Sequence, residues 1–298
     1  MYDIIVIGAG AAGLTSAIYG RRALKSVLVL EALACGGQII NTLSIENYPG
    51  MPYVSGFDFA NSLYNQAKEL GADIKYEKVI KLKDGKTKTV VTDSNSYKAK
   101  AVIIATGCSS RHLGVPREDE FASKGVSYCA TCDGNLYKGK NVAVVGGGNS
   151  ALDDALYLSD IAKKVYLIHR KDTFSGEEAI VKTLEDKDNV EFVLEASVTE
   201  LIGDKKLEKI VVTGKRELEV SGLFVAIGKV PQNDIFVNLI ELDAHGYVKS
   251  SENCHTNVDG IFVAGDNRAK KLRQLVTATS DGAMAMTEAL KYLSKGEL

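Results

Sequence analysis

Cys129 and Cys132 are the residues in this chain best suited to do chemistry. They stand two residues apart in Tyr128-Cys129-Ala130-Thr131-Cys132-Asp133-Gly134. Two thiols at that spacing can close a small disulfide ring and reopen it. The same spacing draws the attacking thiol's pKa toward neutrality, which favours exchange at physiological pH. Asp133 follows directly. A carboxyl there can protonate a leaving thiolate, or can do no more than open an Asp-Gly turn. The competing use of such a pair is half of a tetrahedral zinc site, which needs two further ligands. No second C-x-x-C exists, and Cys254-His255, the other cluster, sets neighbouring side chains on opposite faces of an extended segment. His112, His169, His245 and His255 lack metal-ligand spacing, so no metal is expected. Cys35 and Cys108 read as small buried residues.

The elements that must position this pair are two copies of one pattern. The first runs Tyr2-Asp3-Ile4-Ile5-Val6-Ile7-Gly8-Ala9-Gly10-Ala11-Ala12-Gly13, a buried strand passing through G-x-G-x-x-G into a helix. Gly8 makes the tight turn, Gly10 lets the backbone approach a pyrophosphate, and Gly13 lets helix pack on strand. A second strand, Val27-Leu28-Val29-Leu30, ends at Glu31, an acid able to accept hydrogen bonds from ribose hydroxyls. The pattern recurs 138 residues later as Gly146-Gly147-Gly148-Asn149-Ser150-Ala151. There the equivalent of Glu31 is His169, followed by Arg170 and Lys171. Cations at that point suit a 2′-phosphate, so NADPH is favoured over NADH at the second loop. A dithiol set between two nucleotide folds is the arrangement expected of a flavin-driven disulfide cycle.

Late strands close each copy: Ala101–Gly107 for the first, Leu223–Gly228 for the second. A further strand, Ile261–Asp266, and a helix from about Leu275 to Leu293 serve no third fingerprint, so they are expected to return to the first domain. The expected fold is α/β, with two Rossmann-like three-layer (ββα) nucleotide-binding domains, the second inserted in the first. One domain, at 1–112 and 245–298, carries the first fingerprint, and that at 113–244 would be NADPH-binding-like and carry the dithiol. The stretches Ile74–Thr92 and Val190–Val220 read as antiparallel hairpins, one per domain. Bulk properties agree with an ordinary enzyme. A net charge of −2 gives no electrostatic reason to expect nucleic acid or an anionic membrane. Five cysteines at scattered spacings argue against a secreted disulfide framework. The apolar start is broken by glycines and has no basic n-region, and nothing approaches a membrane span. The chain reads as cytoplasmic.

Across nearly its whole length the sequence resembles the low-molecular-weight thioredoxin reductases. The resemblance rests on the N-terminal fingerprint, Cys35-Gly36-Gly37-Gln38, Glu46-Asn47-Tyr48-Pro49-Gly50, Ala105-Thr106-Gly107, the Cys-Ala-Thr-Cys-Asp-Gly run, Gly146 to Ala151, and Gly265-Asp266 with Arg273-Gln274. It implies bound FAD, a homodimer, and a rotation of the inner domain that offers the dithiol alternately to flavin and to thioredoxin. By position, Gly8, Gly10, Gly13 and Glu31 would hold the adenosine and pyrophosphate half of FAD. Gly37, Gln38 and Asn47 would lie near its ribityl chain and ring, with Thr106 and Gly107 beside them. Gly265, Asp266, Arg273 and Gln274 would close over the rest. The resemblance further implies that Cys132 meets the flavin, that Cys129 attacks the partner, and that Asp133 is the general acid. Gly146, Gly148, Asn149, Ser150, Arg170 and Lys171 would serve NADPH.

One departure bears on the electron donor. NADPH-dependent relatives usually read His-Arg-Arg-x-x-x-Arg after the second nucleotide strand, whereas this chain reads His169-Arg170-Lys171 with Ser175 in the last place. Lysine cannot grip phosphate bidentately and serine carries no charge. One lost charge-assisted bond, about 1.5–3 kcal/mol, weakens NADPH by about tenfold to a hundredfold. Two donors therefore stay open: NADPH, or reduced ferredoxin as in the ferredoxin-dependent branch of the family. Two other classes share the fold. A non-catalytic redox sensor would need no Asp133, and a flavin-dependent ferredoxin–NADP reductase-like enzyme would lack the dithiol.

Overall fold

The computed structural model describes residues 1–42 and 44–295 and divides into two compact units. One comprises 1–41, 45–109 and 230–298, the other 42–44 and 110–229. In the first, strand Tyr2–Ile7 lies between Val27–Glu31 and Ser96–Ile104, parallel to both. Asp73–Tyr76 extends the sheet beyond Val27–Glu31, and Ile261–Val263 joins it in parallel along Ser96–Ile104. Ser96–Ile104 is long enough to pair antiparallel with Lys88–Thr92 through its first half.

Alternation along the first strand divides the core. Ile4 and Val6 face the helices Ala11–Arg22 and Leu275–Lys295, packing with Leu14, Ala285 and Met286. Ile5 and Ile7 face the other way, onto Leu28, Val102, Phe236 and Ile240. A strand covered on both faces has no position for a polar residue, which is why Ile4–Ile7 reads as an unbroken apolar run. The last helix approaches the first so closely that a Cβ at Gly282 would lie 2.2 Å from the Ala12 carbonyl oxygen.

The second unit repeats the plan. Its parallel sheet runs Val190–Val193, Lys164–Ile168, Asn141–Val145, Gly222–Val225, Val126–Ser127, with helix Asn149–Ser159 on one face. A three-stranded antiparallel sheet, Val198–Ile202, Lys209–Val212 and Arg216–Glu219, packs on the other. Both expected hairpins therefore begin later than their sequence stretches. Asp73–Tyr76 and Val190–Val193 each pair in parallel at a sheet edge before the antiparallel strands start.

The chain passes between the units near 109/110 and 229/230, where Cys108–Ser110 and Lys229–Pro231 form a two-stranded ribbon. Linker composition points to crossings at 112/113 and 244/245. The 230–244 segment instead buries Phe236 and Ile240 in the first unit's core, and Asn233 donates to the Asn267 carbonyl at 2.8 Å. Among the described residues no helix is long and apolar enough to cross a membrane.

Candidate functional site

The dithiol sits where an edge strand breaks into a short helix. Strand Val126–Ser127 pairs with Gly222–Val225, and Cys129, in extended conformation, then caps the turn Ala130–Asp133. The Cys129 carbonyl accepts the amides of Cys132 (3.3 Å) and Asp133 (3.1 Å). This folds the two side chains toward one another, and they are joined as a disulfide with Cα atoms 5.3 Å apart. Both cysteines are half-buried, and the Thr131 hydroxyl lies 3.5 Å from Cys129 Sγ. Gly134 follows because a Cβ there would lie 2.8 Å from the Tyr157 ring, so only glycine lets the loop rest on helix Asn149–Ser159.

Around the dithiol are groups that sequence reasoning did not single out. Ser127, 4% exposed, donates to Asp133 Oδ2 at 2.6 Å and accepts the Cys129 amide at 3.1 Å. Burial pushes the Asp133 carboxyl up, and the Ser127 bond offsets only part of that rise. Tyr128 donates to buried Glu118 at 2.9 Å, and Glu118 in turn accepts the amides of Leu113 and Gly114. The chain just before the cysteines is thereby tied to the segment that enters this unit.

The first glycine loop separates packing from cradle. A Cβ at Gly8 would lie 2.4 Å from the Ala105 carbonyl oxygen, and one at Gly13 would lie 1.9 Å from that of Gly8. At Gly10 it would meet nothing closer than the Gly37 Cα at 4.0 Å. Gly10 is also extended (φ −74, ψ −175) and N-caps helix Ala11–Arg22 with no side-chain cap. Helix Gly56–Glu69, by contrast, is capped by Ser55. A bare glycine before uncapped helical amides fits a pyrophosphate. Glu31, at the end of its strand, accepts the Ala9 amide through Oε2 (2.7 Å) and that of Leu33 through Oε1 (2.9 Å).

Further predicted residues converge in the same unit. Gly37 faces Gly10, with a Cβ there 3.2 Å from the Gly10 Cα, and Gln38 is exposed on the following turn. Asn47 Nδ2 donates to Gln274 Oε1 at 3.2 Å, which joins two motifs far apart in sequence. Thr106 Oγ1 accepts from Asn267, and Gly107 (φ +67) leaves open space where a Cβ would stand. Asp266 Oδ1 is buried without a hydrogen bond, its nearest cation Lys270 Nζ at 3.5 Å. The Arg273 guanidinium donates to the carbonyls of Asp266 and Arg268 and lies over the Tyr247 ring. It thus shapes the loop from within. Cys108 donates to the Asp266 carbonyl at 2.8 Å, and Cys35 is half-buried, its thiol pushed up by burial.

What holds this loop was hidden from sequence reasoning. Asp281, on the last helix, accepts the Gly265 amide, both ends of the Arg268 fork (2.9 and 2.7 Å) and Lys270 (3.0 Å). Arg268 and Asp281 are 3% and 5% exposed, so the pair is desolvated and its satisfaction must be complete.

In the second unit a Cβ at Gly146 would lie 2.4 Å from the Ala226 carbonyl oxygen, whereas one at Gly148 would meet nothing closer than Ser175 Oγ at 3.9 Å. Gly148 caps helix Asn149–Ser159 without a side-chain bond, like Gly10. His169 stands at the position equivalent to Glu31 and packs there through its ring. Its ring lies against Gly147, where any Cβ would come within 2.1 Å, and stacks on Phe174. Burial first, then the Arg170 and Lys171 charges, lower its pKa against the opposing effect of a backbone hydrogen bond at Thr173. Ser175 spends both its amide (2.7 Å) and its hydroxyl (3.0 Å) on the Gly147 carbonyl, and Asn149 Oδ1 accepts the Glu177 amide. Ser150, Arg170 and Lys171 are exposed.

The chain matches a known family model, described as pyridine nucleotide-disulphide oxidoreductase, over residues 2–282. The chain belongs to that family. It is 41% identical to the thioredoxin reductase of Listeria monocytogenes, over 99% of this chain and 95% of that protein. The crystal structure of the Streptococcus pyogenes thioredoxin reductase superposes with a TM-score of 0.94 at 37% identity, covering 99% of each chain. A ferredoxin-flavin thioredoxin reductase from Clostridium acetobutylicum is 33% identical with a TM-score of 0.54, over 99% of this chain and 98% of that one. This oxidoreductase is therefore a flavoprotein disulfide reductase of the thioredoxin reductase kind, and Cys129–Cys132 is its redox-active pair.

Proposed function

We propose that the discontinuous unit holds FAD through Gly8, Gly10, Gly13, Glu31, Gly37, Gln38, Asn47, Thr106, Gly107, Gly265, Asp266, Arg273 and Gln274. The inserted unit, in this reading, carries the working dithiol and takes NADPH at Gly146, Gly148, Asn149, Ser150, Arg170 and Lys171. FAD, when bound, supplies the two electrons that open the Cys129–Cys132 disulfide. The rest is chemistry of the chain's own side chains. The Cys129 thiolate attacks one sulfur of the thioredoxin disulfide and forms a mixed disulfide. Cys132 then attacks Cys129 Sγ, which expels the thioredoxin thiol and restores the Cys129–Cys132 bond. Two electrons have moved to thioredoxin. Asp133 takes the proton that Cys132 gives up and returns one when the pair is next opened, a task that suits a carboxyl raised by burial.

The observation that carries this reading is the contrast at Gly10, a glycine that neither fold nor packing requires, in the same chain as a C-x-x-C disulfide followed by a half-buried acid. Cys132→Ser tests it. The variant should keep FAD and lose thioredoxin reduction, and unchanged turnover would refute the assignment. NADPH is the favoured donor because Gly148 and its uncapped helix repeat the Gly10 arrangement with exposed Arg170 and Lys171 beside them. Reduced ferredoxin is the second reading, favoured by Ser175, whose polar groups are committed to Gly147 where a cation would serve a 2′-phosphate. The family resemblance also supports a homodimer, which sedimentation would test.

A further inference from the structure

Ser127 has one proton and two acceptors. Its Oγ lies 2.6 Å from Asp133 Oδ2 and 3.3 Å from the Cys129 carbonyl oxygen, and it accepts the Cys129 amide at 3.1 Å. A serine hydroxyl donates once and accepts through two lone pairs, so these contacts can all be used but not all at one time. With Asp133 ionised, the proton belongs on the short bond to the carboxylate. With Asp133 protonated, the carboxyl becomes the donor across the same gap, and the serine proton is released to turn toward the Cys129 carbonyl. The hydroxyl cannot drift away in either state, because Ser127 is buried in a strand paired with Gly222–Val225.

We propose that Ser127 is a positioning residue for disulfide exchange, a rotating hydroxyl that holds Asp133 in place through both of its charge states and couples that change to the backbone of Cys129. The proposal rests on the reading of Asp133 as the group that stores the proton. An alanine at 127 would leave the carboxylate without its partner, the Cys129 amide without its acceptor, and the loop free to re-aim the acid. Tyr137, on the next turn, is a titratable side chain that feels the Asp133 charge. Burial and the Asp133 charge push its hydroxyl up to about 12, so it stays neutral over the working range.

The test uses holoenzyme reduced anaerobically with dithionite and mixed with oxidised thioredoxin, so that it does not depend on the natural donor. Ser127→Ala, Ser127→Thr and Asp133→Asn are compared with the parent across pH 5 to 9. In parallel, the protonated-carboxyl infrared band of Asp133, identified by its loss in Asp133→Asn, is titrated. Ser127→Ala should slow thioredoxin reduction about tenfold, the worth of one charge-assisted hydrogen bond, and move both the rate profile and the band titration upward in pH. Ser127→Thr, which keeps the hydroxyl, should restore both. A Ser127→Ala variant with the parent's profile and band titration would overturn the role of Ser127 if Asp133→Asn is slow. If Asp133→Asn itself is as fast as the parent with the same profile, the reading of Asp133 falls and the proposal with it.

Discussion

Gly10→Ala separates a ligand cradle from a packing contact. Position 10 is extended, a conformation alanine adopts freely, and the added methyl would stand 4.0 Å from the nearest protein carbon, an ordinary van der Waals distance. Replacing a glycine N-cap with alanine costs from a few tenths to about 1 kcal/mol, and the lower entropy of the unfolded chain returns about 0.4–1 kcal/mol. The net change in stability should therefore stay within about 1 kcal/mol. The methyl does, however, occupy the approach to the helix amides. Displacing a phosphate oxygen from one of them removes a charged hydrogen bond of about 1.5–3 kcal/mol, so FAD should bind about tenfold to a hundredfold more weakly. Urea denaturation of the FAD-stripped proteins gives the first quantity, and FAD retained after gel filtration gives the second. Gly13→Ala is the control, since its Cβ would lie 1.9 Å from a carbonyl oxygen and no cofactor need be invoked for its failure to fold. A Gly10→Ala protein that folds and keeps FAD as tightly as the parent would refute the cradle.

Asp281→Asn should cost about 3–5 kcal/mol in urea denaturation, because nearly buried Arg268 loses the carboxylate that meets both ends of its fork, and Lys270 is left with the more distant Asp266 carboxylate at 3.5 Å. A loss below 1 kcal/mol would contradict the network. Burial raises the Asp281 carboxyl, but the Arg268 hydrogen bond and the Lys270 charge outweigh it and hold it below its ordinary value. The stability it contributes is thus complete above the unfolded value of about 4 and is lost as pH falls through the folded one. The denaturation midpoint of the parent should drop below about pH 4 more steeply than that of Asp281→Asn. Ser175→Arg should tighten NADPH about tenfold and leave NADH unchanged when both are titrated calorimetrically into the holoenzyme, and equal effects on both nucleotides would remove position 175 from 2′-phosphate recognition.

Features whose cause is local could be read directly from sequence. Ile4–Ile7 runs into Gly8-x-Gly10-x-x-Gly13, because a doubly covered strand must be apolar and a strand-to-helix turn at this spacing must be glycine. The C-x-x-C pair was legible for the same reason. Features assembled across the chain were not. Asp281 looks like one polar residue of an amphipathic helix, and its value comes from Gly265, Arg268 and Lys270 meeting it in space. Ser127 and Asp133 are separated by a strand-to-helix break that no periodicity spans. The small, polar run at 243–247 resembles a linker, yet Asp243 Oδ1 accepts the amides of His245 and Tyr247, so it is an internal turn of the first unit. The actual crossing, at Lys229, reads as an ordinary loop after a strand.

A relay through Cys129 and Cys132 carries electrons to thioredoxin in this proposal. The measurement closest to it is anaerobic stopped-flow mixing of the yellow holoenzyme with NADPH and oxidised thioredoxin, and in parallel with reduced ferredoxin and oxidised thioredoxin, for the parent and for Cys132→Ser. With NADPH as the donor, the parent should show flavin bleaching followed by stoichiometric appearance of thioredoxin thiols. Cys132→Ser should show bleaching without thioredoxin thiols. Bleaching by ferredoxin alone would shift the donor assignment and leave the relay intact. Thioredoxin thiols formed by Cys132→Ser at the parent's rate would contradict the relay itself.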